Sequence, residues 1–236
     1  MKQKILFLLV LCGFVETASA QIIKQSTIYL PATVFLTDIQ GQRPSEEWNR
    51  VEVKGSPFLP GEWAKAVVTL KDNRTFSGIS MRLNCVNNSI HYLTSQKNEL
   101  VAPDGMIKEI LMIDSTGASP TEYRLASGFP ETGKNTAATF YERLVNGKAQ
   151  LLKYTKRKLK EYKAYAGATE KEYVSNEDYY LFNNGTIKEW GKGKEFLLEI
   201  LADKKEKVQE YIDKQKLKCK SIDDVKLVLN YYNGLP

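Results

Sequence analysis

Histidine is almost missing from this chain, because His91 is the only one among 236 residues. The sequence also has no glycine-rich phosphate loop and no Gly-x-Ser-x-Gly segment, and its three cysteines are far apart. Structural zinc sites use four clustered cysteine or histidine ligands, and nucleotide-binding loops need closely spaced glycines. We therefore expect no metal site, no cofactor and no catalytic set of residues.

Any serine or cysteine triad would have to use His91. This residue stands between Ile90 and Tyr92 in a strand-like run. A half-buried imidazole with hydrogen-bond partners explains such a histidine more simply than a general base does. We therefore assign it no catalytic role from the sequence.

Long apolar runs are also scarce, and the one at residues 5–11 is too short to span a bilayer, which takes about 20 residues. Two lysines precede it, and three small residues end at Ala20, which is the layout of a secretory signal peptide. Cys12 could carry a lipid, but the processing enzyme needs a small residue where Leu11 stands. We predict that residues 1–20 are removed after Ala20. The mature chain would then be secreted or periplasmic, without a transmembrane segment.

Export leaves Cys85 and Cys219 as the remaining cysteines. An oxidising compartment permits a disulfide between them. Cys85 also follows Met81 and Leu83 at every second position, so a buried free thiol explains it equally well. A bridge requires a proximity that the sequence does not give, and both alternatives stay open.

Residues 21–193 have the pattern of strands and tight turns. Apolar and polar residues alternate over residues 79–85, which directs one face of a strand inward. Asn146 and Asn184 each precede a glycine between two β-prone segments. Asn-Gly accepts positive φ at both positions, as a type I′ hairpin turn requires. This region is predicted to be an antiparallel, β-rich meander.

A basic stripe covers residues 151–165, LLKYTKRKLKEYKAY, with six basic side chains and one acid. We predict a strand in which Lys156, Lys158, Lys160 and Tyr162 share one face, while Arg157 and Leu159 point the other way. Such lysines keep a sheet edge soluble, or they bind an acidic polysaccharide or the phosphates of lipopolysaccharide. Export argues against nucleic acid as a partner, although the net charge is +6. A helix here would lack an apolar stripe, which argues against docking on a membrane.

The last forty residues change to a helical pattern. Apolar residues fall on one side of a helix over residues 194–214, and Ser221 is the predicted N-cap of a second helix. Two amphipathic helices must cover their apolar stripes, so residues 194–236 should pack on the β-rich domain of residues 21–193. The predicted fold class is therefore α+β, with an antiparallel β-rich body and two C-terminal helices.

Aromatic residues offer the one further functional signal. Three tryptophans stand beside turn residues: Trp48, Trp63 and Trp190. Exposed on loops they would stack on sugar rings or peptide side chains, whereas buried they would close an edge of the core. Two pairs of acids could add glycan hydrolysis if they faced one glycosidic bond: Glu46 with Glu47, and Glu131 with Glu142. Solvation at the surface accounts for both pairs of carboxylates more simply.

The segment GSPFLPGEWAKAVVTLKDNRTFSGISMRLN and the ending LVLNYYNGLP resemble exported cell-envelope proteins of Bacteroidota that have no assigned function. The resemblance covers most of the chain, but it includes no motif of known role. The resemblance implies a location in the cell envelope, but it assigns no site residues to this sequence.

These observations together favour a non-catalytic binding or interaction module of the envelope, acting on a glycan or on another envelope protein. One alternative is a glycan-acting hydrolase that uses the paired carboxylates and the loop tryptophans. Another is a structural subunit of an envelope complex.

Overall fold

The computed structural model describes residues 29–32, 35–36, 39–43, 53–163 and 169–236. The predicted signal peptide lies outside the described residues. The described strands are β1 Leu30–Pro31, β2 Val53–Lys54, β3 Phe58–Leu70, β4 Thr75–Asn84, β5 Ser89–Leu93, β6 Glu99–Val101, β7 Ile107–Asp114, β8 Thr121–Ala126, β9 Tyr141–Val145, β10 Gln150–Lys163, β11 Thr169–Asn183 and β12 Thr186–Glu189. The C-terminal helices are α1 Lys194–Ile200, α2 Lys205–Lys214 and α3 Ile222–Gly234.

The strands form a mixed sheet in the order β12-β11-β10-β9-β8-β7-β3-β4-β5-β6, and all neighbours along this path are antiparallel. The α+β class is as predicted, but the sheet is not the pure antiparallel meander that the sequence indicated. β1 runs parallel to β4, and β2 runs parallel to β11. Both additions occur where a short partner leaves an edge open, since β5 covers only residues 81–84 of β4 and β12 only residues 180–183 of β11.

Local sequence signals account for several of these elements. Residues Ile79, Met81, Leu83 and Cys85 are all buried, as their alternation predicts. The turn between β11 and β12 consists of Asn184 and Gly185, whose φ angles are 49° and 76°. Two positive φ angles are the mark of a type I′ turn, so this hairpin is confirmed.

The predicted two-residue turn at Asn146 is wrong, because four residues, 146–149, connect β9 to β10. Asn233 at the end of α3 holds this loop. Its Oδ1 accepts a hydrogen bond from the Ala149 N–H at 2.9 Å, and its Nδ2 donates to the Ala149 carbonyl at 2.9 Å. A Cβ on Gly147 would lie 2.4 Å from the Asn233 side chain, so glycine is required there by the close approach of the helix.

The predicted pair of C-terminal helices is three helices, because a 3-10 turn at Ala202–Lys204 separates α1 from α2. Asn183 Nδ2 donates to the Ile200 carbonyl at 2.9 Å, which satisfies an acceptor left over at the end of α1. The break lets both Leu197 and Val208 enter one buried cluster. The N-cap is confirmed, since Ser221 Oγ accepts from the Asp224 N–H at 3.1 Å. Among the described residues, no helix has the length and apolar content required to cross a bilayer.

Three apolar clusters hold these layers together. The first lies between the strands β3, β4, β5 and β7 and includes Phe35, Phe76 and Tyr92. The second joins the three C-terminal helices to one face of β9, β10 and β11, with Val145, Leu151 and Leu181 as its buried strand residues. The third covers the other face of β10 and β11 and is rich in aromatic rings. The helices thus cover one face of β9–β11 near the point where the long β10–β11 hairpin begins.

Candidate functional site

Strands β10 and β11 form a long two-stranded ribbon. They pair over fourteen positions, from Gln150 opposite Phe182 to Lys163 opposite Thr169. β9, by contrast, pairs with only residues 151–153 of β10. The basic stripe is therefore a strand as far as Lys163, as predicted, and most of it lies beyond the residues of β10 that pair with β9.

One face of the ribbon carries the predicted row of lysines. Lys156 is half-buried, and its Nζ lies 3.1 Å from Asp178 Oδ2 and 4.8 Å from the centroid of the Tyr154 ring. Lys158 and Lys160 follow at every second position and are exposed. The lysines line a shallow cavity of about 220 Å³, whose walls are Lys156, Lys158, Lys160, Val174, Asn176 and Asp178. We call this surface the lysine face; three cations and one anion line the cavity, and Glu172, opposite Lys160, adds a second anion on the same face.

Lys156 is protonated, and so positively charged, at neutral pH. Burial lowers its pKa, but the hydrogen bond and charge of Asp178 outweigh that effect, so the pKa lies above the ordinary lysine value. Lys158 and Lys160 have no carboxylate within ion-pair distance among the described residues, although Glu172 is the cross-strand neighbour of Lys160. Two of the three lysines are therefore available to a ligand.

Arg157 on the opposite face anchors the ribbon to the rest of the sheet. Its Nη1 donates to the carbonyls of Ser56, at 2.8 Å, and Phe58, and its Nε donates to Ser175 Oγ at 3.0 Å. The Arg157 N–H donates to the Cys85 carbonyl at 2.9 Å. These bonds fix the base of the ribbon, so the lysine face is presented on a positioned support.

The structure does not bring the predicted tryptophans together. Trp48 lies outside the described residues. Trp63 is half-buried on β3 and packs against the Arg82 guanidinium, 4.0 Å from its ring centroid. Trp190 follows β12, six strand positions away, and meets the Tyr179 ring edge-on at 6.2 Å. Both described rings have partners within the protein, and they do not form one flat platform for a sugar.

A polar cluster that the sequence did not predict surrounds His91. His91 Nδ1 lies 2.6 Å from Glu99 Oε1, and His91 Nε2 lies 3.1 Å from Ser89 Oγ. Arg82 Nη2 donates to both Glu99 oxygens, at 3.0 and 3.1 Å. Its guanidinium carbon lies 3.5 Å from the centroid of Phe58, so the cation sits between that ring and Trp63.

Strand register explains this cluster. Arg82 on β4 is directly opposite His91 on β5, and β6 then brings Glu99 alongside. Burial raises the pKa of Glu99, but hydrogen bonds from His91 and Arg82 outweigh it, and the pKa lies below its usual value. Glu99 is therefore ionised at neutral pH. The Asn87-Asn88 turn was the sequence signal that could have placed Arg82 beside His91.

The carboxylates considered for glycan hydrolysis are not brought together in one described site. Glu46 and Glu47 lie outside the described residues, and Glu131 is exposed in a loop. Glu142 forms a largely buried ion pair with Lys153, with Nζ and Oε2 2.7 Å apart. Lys153 Nζ is also 3.6 Å from Glu177 Oε1. Glu142 is thus engaged by Lys153 inside the protein while Glu131 is exposed in its loop, so the two carboxylates do not share one environment.

Cys85 and Cys219 are both free, buried thiols in the structure. Cys85 belongs to the first apolar cluster and Cys219 to the second, so the structure does not join them. Burial raises the pKa of each thiol to about 11. Within the described part of the chain, no group of three or more His, Cys, Asp or Glu residues could hold a metal ion.

Comparison with known proteins adds no further information. No family model, no curated protein and no solved structure matches this chain. The fold and the site therefore have to be interpreted from their own geometry.

Proposed function

We propose that this protein is an exported binding module that holds an anionic glycan on the lysine face of the β10–β11 ribbon. The observation that carries the proposal is the shallow cavity lined by Lys156, Lys158 and Lys160. Its ligand would be an acidic polysaccharide or the phosphorylated sugars of lipopolysaccharide. Both present carboxylate or phosphate oxygens, which accept hydrogen bonds from lysine ammonium groups.

The geometry of the face supports an extended ligand. Side chains two residues apart on a strand are about 7 Å apart, so the lysines form a regular row rather than one pocket. Tyr162, which is 44% exposed, shares the face with this row. An exposed aromatic ring packs on the apolar face of a sugar while the lysines bind its charges. An acidic glycan offers both features at once.

A structural subunit and a glycan hydrolase are less well supported by the surface of the protein. The exposed large apolar residues of the described chain do not cluster on one element: Tyr29, Val86, Ile113, Leu159, Tyr162 and Leu227. The two on β10, Leu159 and Tyr162, lie on opposite faces of the strand. A subunit of a stable complex usually exposes a contiguous apolar patch. Glycan hydrolysis by Glu142 is disfavoured by Lys153, which occupies the position beside its carboxylate.

A binding assay with charge-matched variants tests this proposal. Lys158→Gln/Lys160→Gln removes two charges from the lysine face, and Lys218→Gln/Lys220→Gln removes two exposed charges elsewhere. An exposed ion pair contributes about 0.5 kcal/mol, so the first variant should bind an acidic polysaccharide about fivefold more weakly. The second should bind like the wild type.

The ligand panel separates the sources of the anionic groups. Polygalacturonate, lipopolysaccharide micelles and neutral dextran would be compared by biolayer interferometry. Binding to either anionic ligand that is weakened only by the first variant supports the proposal. Equal binding to dextran, or equal loss in both variants, contradicts it.

Export remains a prediction, and it can be tested separately. Expression in a bacterium with an outer membrane should yield protein in the periplasm or medium. Its first residue, determined by mass spectrometry, should be Gln21. Full-length protein retained in the cytosol would contradict this part of the proposal.

A further inference from the structure

Ser89, His91 and Glu99 have the geometry of a nucleophile, a base and a group that orients the base. Ser89 Oγ lies 3.1 Å from His91 Nε2, and His91 Nδ1 lies 2.6 Å from Glu99 Oε1. Both distances are within the 2.6–3.2 Å or so that a general base requires. We propose that these residues form an acyl-transfer centre that hydrolyses carboxylic esters, an activity beyond glycan binding.

The hydrogen bonds set the tautomer that this chemistry needs. An ionised Glu99 only accepts hydrogen bonds, so in neutral His91 the proton is on Nδ1 and the lone pair is on Nε2. Ser89 is the hydroxyl that faces this lone pair. In the structure the Ser89 hydroxyl donates to Asn87 Oδ1 at 2.7 Å, so it has to turn to the His91 lone pair, 3.1 Å from Ser89 Oγ, before His91 can accept its proton.

The surroundings restrict the motion of the base. The His91 side chain is only 4% exposed, and the Phe58 ring meets it edge-on at 5.0 Å. Arg82 donates to Glu99 and is itself held between Phe58 and Trp63. Arg82 and Glu99 are positioning residues here, because they act on His91 and not on a substrate.

The nucleophile is more accessible than its base. Ser89 is half-buried at the start of β5, directly after the turn that contains exposed Asn87. Asn87 Oδ1 accepts hydrogen bonds from Ser89 Oγ at 2.7 Å and from the Ser89 N–H at 3.2 Å.

The reaction needs only an ester and water. Ser89 Oγ bonds to the carbonyl carbon while its proton moves to His91 Nε2. The tetrahedral intermediate then expels the alcohol, which takes that proton, and leaves an acyl-serine. Water attacks the acyl group and gives a proton to His91, which returns it to Ser89 Oγ as the carboxylic acid leaves. The expectation of a chain without a catalytic set, drawn from the sequence, is replaced by this proposal.

Labelling with a fluorophosphonate probe tests the centre directly, because the probe reacts with activated serines. The wild type should gain one label, located at Ser89 by peptide mass spectrometry. Ser89→Ala should gain none, and Ser119→Ala, which changes an exposed loop serine, should be labelled like the wild type. His91→Asn, with its fold checked by circular dichroism, should be labelled at least 100-fold more slowly, since general bases contribute about 10²–10⁴ in rate.

Several results would overturn the proposal. Wild-type protein that remains unlabelled at Ser89 after hours in millimolar probe has no activated serine there. Labelling of a folded His91→Asn variant at the wild-type rate would show that His91 is not the base. If His91→Asn does not fold, the proposal is tested by whether the label on the wild-type protein is at Ser89. The label at Ser89 is measured without any glycan present, so failure of this centre and failure of glycan binding can be told apart.

Discussion

Replacing Asn233 with alanine should destabilise the protein strongly, although this side chain is small and close to the end of the chain. Its amide accepts from the Ala149 N–H and donates to the Ala149 carbonyl, both at 2.9 Å, and it also donates to the Asn146 carbonyl at 3.4 Å. Ala149 is fully buried, so the alanine variant leaves two backbone groups without partners. Each such group costs about 1–3 kcal/mol, and we expect a total loss of about 2–6 kcal/mol.

Urea unfolding monitored by tryptophan fluorescence measures this loss. Asn230→Ala is the matched control, because Asn230 is exposed on the same helix and should change the free energy of unfolding by less than about 0.5 kcal/mol. Gly147→Ala should also destabilise the wild type, because its Cβ would meet the Asn233 amide at 2.4 Å. The same change should cost clearly less in the Asn233→Ala background, where the clash is removed. Equal stability of Asn233→Ala and Asn230→Ala would refute the role of this contact.

Two further predictions concern titrating groups. In protein that starts at Gln21, Cys85 and Cys219 should not react with a disulfide reagent at pH 8 while the protein is folded, because burial raises the pKa of each thiol to about 11. Both should react after unfolding without a reductant, and a failure to do so would reveal a disulfide. The second prediction concerns Glu99, whose pKa is lower in the folded protein than its ordinary value of 4.5, so its contribution to stability is present above pH 4.5 and is lost as the pH falls through the folded-state pKa. The difference in urea midpoint between the wild type and Glu99→Gln should therefore shrink below pH 4.5, and a constant difference down to pH 2 would contradict the assignment.

Local signals in the sequence predicted the elements that depend on neighbouring residues. The alternation over residues 79–85, the Asn184-Gly185 turn and the Ser221 cap are all present in the structure. Each reflects a preference of the backbone or a side chain that acts within a few residues. The sequence also predicted the strand that carries the lysine face.

Contacts between distant residues account for the features that the sequence did not predict. The break after α1 is stabilised by Asn183, and the loop before β10 is held by Asn233, more than eighty residues away. Glu99 reaches His91 only through the pairing of β5 with β6. A single sequence gives no direct information on such pairings, so the cluster around His91 could not be assembled from spacing alone.

The most direct test of the central claim is lysine footprinting with and without ligand. Protein would be treated briefly with an acetylating reagent in the presence or absence of polygalacturonate, and the modification of each lysine would be measured by mass spectrometry. Lys158 and Lys160 should be protected by the glycan, whereas exposed Lys218 and Lys220 should be modified equally in both samples. Protection of Lys218 and Lys220 with no protection of Lys158 and Lys160 would contradict the assignment of the ribbon as the binding surface.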